Sequence, residues 1–94
     1  MNEQEGTRIN YVVERDDLQR LTVIVEGWDR LGRSGSRRRR YNETFDEKER
    51  ATIARYYPIV YKWYLVKGYP QGGCSMHYKT WHLLCRAADF FASI

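Results

Sequence analysis

Six arginines fall within the eleven residues Arg30 to Arg40, RLGRSGSRRRR, with two glycines and two serines between them. No part of this stretch except Leu31 can enter an apolar core, and its Gly/Ser spacing does not support a long helix. It therefore divides the chain into two amphipathic parts joined by a basic loop over residues 32–43. Six fixed positive charges make that loop the natural contact surface for a polyanion. A solvated charge run is the plainer reading of the same residues.

The chain has 94 residues, 43% of them hydrophobic and 15% aromatic. That is too apolar for a disordered chain and enough for one small domain, 1–94, with a polar and flexible segment at 1–7. Eight tyrosines require a core with amphipathic edges, ring bodies inside and hydroxyls outside. The formal charge of +4 conceals a strong segregation. Residues 1–29 carry −4, residues 30–40 add +6, residues 41–56 carry −1 and residues 57–94 carry +3. Two cysteines are too few for a disulfide framework, and no apolar run reaches membrane-spanning length. With a polar, acidic start unlike a signal peptide, these features predict a soluble cytoplasmic protein with free thiols and no membrane partner.

Arg8–Val13 has the composition of a strand or an extended lead-in. Asp16 or Asp17 is placed to cap a following helix. Leu18, Leu21, Ile24 or Val25, Trp28 and Leu31 then recur at steps of three or four, with Gly32 as a stop. The β-branched run Thr22–Val25 allows a hairpin instead, but the apolar stripe is longer than either strand and favours the helix. Thr44 and Glu47 form a capping-box pattern for a second helix through Ile53, Tyr57, Val60 and Tyr64. Pro58 either kinks that helix or divides it. Gly68 ends it, and Tyr69–Gly73 is a turn. Ser75 is placed to cap a last helix, whose stripe is Trp81, Leu84, Cys85, Ala88 and Phe91. Ala87 and Ala92 allow close approach along it. The expected architecture is mainly α, a small three-helix bundle with a kinked middle helix and a basic loop after the first helix.

Cys74, His77, His82 and Cys85 are four candidate metal ligands. On one helix, Cys74 and Cys85 lie roughly 16 Å apart along the axis, and His77 and His82 diverge by about 140°. One tetrahedral site cannot gather them without a break in the helix, so no metal or other cofactor is expected. No nucleophile, base and orienting group can be named together, so no enzyme is expected. Basic residues interleaved with aromatics point instead to nucleic acid. Arg33, Arg37, Arg38, Arg39, Arg40 and Tyr41 would hold phosphates from the loop. Ser75, His77, Tyr78 and Lys79 would approach from the start of the last helix. Lys62, Lys67, Tyr69 and Arg86 lie in the C-terminal half, and nucleic acid is favoured if these cations share one face with the arginine run, a protein partner if the run faces the acidic head.

Three fragments, in order, resemble small antitermination proteins of the phage Q group. Gly27-Trp28-Asp29-Arg30-Leu31-Gly32 is similar to their Trp-x-Arg segment before a polar linker. Tyr56-Tyr57 through Tyr64-Leu65-Val66-Lys67-Gly68 is similar to the helix that precedes their DNA-binding turn. Tyr78 through Phe91 is similar to their closing helix. The resemblance implies a phage-encoded regulator that binds duplex DNA and engages host RNA polymerase. Only Tyr69–Cys74 stand where that family has a short helix, so base reading by a standard helix-turn-helix is not expected. A phage-type inhibitor that grips a host protein is the alternative, suited to the acidic head and the many tyrosines. An exposed apolar patch could also be covered by a second copy.

Overall fold

A computed structural model describes residues 10–33, 35–66 and 74–93. The chain begins with strand β1, Asn10–Val13, and helices α1, Arg15–Leu21, and α2, Val23–Leu31. Helix α3, Gly35–Thr44, and the long helix α4, Glu47–Val66, follow. Strand β2, Cys74–His77, leads directly into helix α5, Tyr78–Ala92. The fold is mainly α, as the sequence predicts, but it has five helical segments among the described residues rather than three. The expected flexible segment 1–7, the stop at Gly68 and the turn at Tyr69–Gly73 lie outside the described residues, as does Lys67.

The first stripe is helical, and Leu18, Leu21, Ile24, Val25 and Leu31 are all buried. The helix begins earlier than either aspartate would set it. Glu14 is the capping position, and Asp17 accepts from the Glu14 amide at 3.4 Å. Thr22 marks the step between α1 and α2. Its amide is shared between the carbonyls of Leu18 and Gln19, and its hydroxyl donates to Gln19 O at 2.6 Å. This back-bonding competes with the regular ladder and tightens one turn.

The expected basic loop over 32–43 is largely a helix. Arginine is a good helix former, and Gly35, the residue most opposed to a helix, sits at its first position. Tyr41 and Phe45, four residues apart, bury against the core and hold this segment down. Its closing carbonyls are satisfied from a neighbour. The Arg50 guanidinium donates to Asn42 O at 3.1 Å and also to Phe45 O. Thr44 does not open α4, because its hydroxyl donates back to Arg40 O at 2.7 Å. The capping box lies two residues later: Asp46 N donates to Glu49 Oε1 at 3.0 Å, and Glu49 N donates to Asp46 Oδ1 at 2.8 Å. Pro58 lies inside one continuous helix, not between two.

Strand β1 pairs antiparallel with β2, placing Asn10 opposite His77 and Val13 opposite Cys74. Ser75, expected to cap the last helix, therefore lies within a strand. The backbone groups of β1 need partners, and residues 74–77 supply them. His77 caps α5 instead, with Nδ1 accepting from Lys79 N at 3.1 Å. Trp81, Leu84, Ala88 and Phe91 are buried as expected, together with Leu83 and Ala87, whereas Ala92 is exposed. Helices α2 and α5 approach so closely that a Cβ on Gly27 would overlap the Phe91 side chain. None of the helices among the described residues is long and apolar enough to cross a membrane.

Candidate nucleic-acid interface

Helix α3 turns the arginine run into a rigid display. Arg38, Arg39 and Arg40 are exposed, and Arg37 is half-buried. Successive residues rotate by about 100°, so these four charges surround the helix rather than forming one stripe. The two arginines before α3 are already engaged. Arg33 pairs with Asp29 at 3.2 Å, and Arg30 Nη2 donates to Phe91 O at 3.4 Å. The acidic first segment thus takes part of the charge of the run, leaving Arg38–Arg40 as its open portion.

Tyr41 is not a contact residue. Only 4% of it is exposed, and its ring packs against Trp28, Phe45, Phe90 and Phe91 at centroid distances of 5.4 to 5.9 Å. The side chain anchors α3 to the core and cannot stack on a base. Its hydroxyl is buried without a hydrogen-bond partner among the described residues. Burial pushes its pKa up to about 12, against the smaller opposing effects of Arg50 and Arg38.

The second half of the expected site lies elsewhere. Tyr41 meets α5 at Phe90 and Phe91, whereas Ser75, His77, Tyr78 and Lys79 lie at the opposite end of that helix. Twelve residues of α5 separate the two groups, about 18 Å along the axis. Ser75 and Lys79 are exposed, while His77 and Tyr78 are half-buried. Lys79 also borders an open cleft of about 380 Å³ with Asp46, Lys48, Glu49, Thr52 and Thr80. The cleft mixes two ammonium groups with two carboxylates, and those carboxylates form the capping box of α4.

Arg86 lies between the two ends on the outer face of α5. It donates to Glu49 Oε2 at 2.9 Å, and its guanidinium stacks 5.0 Å from the centroid of Phe45. Around the start of α5 the rings form a connected series. His77 stacks on Tyr78 with centroids 5.1 Å apart, and Tyr78 meets His82 edge-on at 5.9 Å. His82 meets Tyr11 at 6.3 Å, and Tyr11 stacks on Trp81 at 5.5 Å. Tyr11 and His82 are both exposed. Sequence reasoning missed Tyr11 as a surface residue here. The four-residue spacing of Tyr78 and His82 was a visible signal, but the position of Tyr11 follows only from the pairing of β1 with β2.

Cys74, His77, His82 and Cys85 are not drawn together, and no group of three or more metal-ligating side chains occurs among the described residues. Burial raises the thiol pKa values of Cys74 and Cys85, which disfavours the nucleophilic thiolate at neutral pH. The chain matches no protein-family model, no characterised protein and no solved structure.

Proposed function

We propose that this chain is a small nucleic-acid-binding regulator of the antitermination type, with α3 as its phosphate-binding element. The observation that carries this reading is the exposure of Arg38, Arg39 and Arg40 on a helix that Tyr41 anchors to the core. A phosphate contact from a fixed helix loses less conformational freedom on binding than one from a loop. The reading rests on backbone contact with duplex DNA rather than base reading, because strand β2 leads directly into α5. Host RNA polymerase enters as a second partner through the resemblance to the phage Q group.

The test is duplex binding across a salt series. Replacing Arg38, Arg39 and Arg40 with alanine is expected to weaken binding strongly at low salt. It also lowers the slope of log affinity against log salt by up to about 3, near 0.9 for each phosphate that the variant leaves unneutralised. An unchanged slope, or no duplex binding by the intact protein at low salt, overturns the proposal.

A second reading, a phage-type inhibitor that binds a host protein directly, has its own support. Ile59, Tyr61, Leu65 and Val66 are exposed in the second half of α4, at 43%, 40%, 59% and 61%. Stoichiometric capture of one identified host protein from nuclease-treated lysate, abolished when Leu65 and Val66 become serine, would favour it over the first.

A further inference from the structure

The series of rings at the start of α5 is more than the edge of the core. Its members come from two distant parts of the chain: Tyr11 from β1, and His77, Tyr78 and His82 from β2 and α5. Each ring touches the next at 5.1 to 6.3 Å, and the last contact is with the buried Trp81. Tyr11 is 42% exposed although it stacks on Trp81, so the outer part of its side chain remains open to solvent. An exposed tyrosine supported by a buried indole is a pre-set stacking surface, because its orientation is fixed before a ligand arrives.

Cationic side chains adjoin these rings. Tyr78, His82 and Arg86 are spaced by four residues and lie on one outward face of α5, with Lys79 at its edge. Lys79 is exposed, and Arg86 keeps about half of its side chain open while paired with Glu49. The nearest carboxylate further along this face, Asp89, is paired with Arg20. Rings that stack and cations beside them are the two components of a surface for unpaired nucleotides. A closed duplex keeps its bases stacked inside and offers those rings little to bind.

We propose that Tyr11, Tyr78 and His82 stack the bases of an unpaired nucleic-acid strand, with Lys79 and Arg86 along its phosphates. Its rings lie at the opposite end of α5 from the Tyr41 anchor of α3, with Tyr78 about 18 Å from Phe90 along the axis. It rests on the reading of the chain as a nucleic-acid binder and adds the strandedness of the ligand.

The test compares oligothymidine of about twelve nucleotides with a duplex of equal length, bound to the full chain. Tyr11→Ala and His82→Ala are expected to weaken single-strand binding roughly tenfold or more each, while duplex affinity stays within about twofold. Tyr11→Phe keeps the ring and is expected to keep the affinity. Far-UV circular dichroism of each variant, matched to the parent, confirms that the fold is retained. His82→Gln, on an exposed helix face, serves if Tyr11→Ala fails that check. A parallel titration with oligouridine separates RNA from DNA as the source of the strand, and stacking predicts the same variant effects for both.

Duplex binding that depends on Arg38–Arg40, with single-strand binding indifferent to Tyr11 and His82, overturns this site and leaves the proposed function standing. Single-strand binding that depends on the rings, without duplex binding, keeps this site and overturns the role given to α3. Binding of neither ligand overturns both.

Discussion

The two ends of helix α5 use the same chemistry for opposite purposes. At its C-terminal end, Phe90 and Phe91 meet Tyr41, Phe45 and Trp28, and Phe91 is fully buried. At its N-terminal end, Tyr11, Tyr78 and His82 touch one another with comparable ring spacings yet remain partly or largely open. The difference lies in how many elements converge. Helices α2 and α3 both close on the first cluster, whereas among the described residues the rings of the second rest on the two-stranded ribbon and on Trp81. Aromatic content therefore does not say where a core is; enclosure by neighbouring elements does.

The sharpest way to break this comparison is to remove one ring from each end. Phe91→Ala leaves a cavity among Gly27, Trp28 and Tyr41 and is expected to cost about 3–5 kcal/mol in denaturant unfolding. A cost below about 1 kcal/mol would mean that this end is no better enclosed than the other.

An intermediate effect belongs to the Tyr41 hydroxyl. Its folded pKa of about 12 exceeds the ordinary value near 10, so the native state holds the phenolic proton more tightly than the unfolded chain. The associated stability is complete below pH 10 and falls away as pH rises from 10 towards 12, by roughly 2–3 kcal/mol. Tyr41→Phe removes that dependence. Unfolding measured in parallel at several pH values should show the parent falling relative to the variant above pH 10. At neutral pH the variant is expected to be at least as stable, because the buried hydroxyl has no partner among the described residues. Parallel pH profiles for the two proteins would show that this end of α5 is wet.

The smallest effect is expected from the open end. Tyr11→Ala is predicted to change stability by under about 1 kcal/mol, since the ring is largely supported from one side. A destabilisation comparable to that of Phe91→Ala would make Tyr11 a core residue and remove the contrast.

Most of the helical framework was legible in the sequence because its apolar spacing is strong. Leu18, Leu21, Ile24, Leu31, Trp81, Leu84, Ala88 and Phe91 bury as their periodicity requires, while Trp28 and Cys85 of the same stripes are half-buried. The basic stretch misled for a specific reason. Its composition argues against burial, but two residues just beyond the arginines, Tyr41 and Phe45, bury and fold the preceding charges into a helix. A charge run does not reveal the anchor that follows it. Likewise, the cap of α4 depends on which of two overlapping patterns wins, and Thr44 was already engaged with Arg40. The expected site was legible only in part. Arg38–Arg40 and Lys79 are exposed residues, and Tyr78 a half-buried one, that local pattern can find. Their separation at opposite ends of one helix, and the arrival of Tyr11 beside His82, depend on long-range pairing that no local spacing encodes.

That pairing also sets when the fold can be completed during synthesis. Val13 waits for Cys74, and Gly27 waits for Phe91. Among the described elements, a ribosome that has released residues 10–66 has made β1 and α1–α4 but neither β2 nor α5. Contacts of such sequence separation form late because a long loop must close first. The face of the first stripe that packs on α5 thus remains accessible to chaperones until residues 78–91 emerge. A message truncated within that interval would yield a chain that keeps the acidic start and the arginine run but lacks Trp81, Leu84, Ala88 and Phe91 of its core.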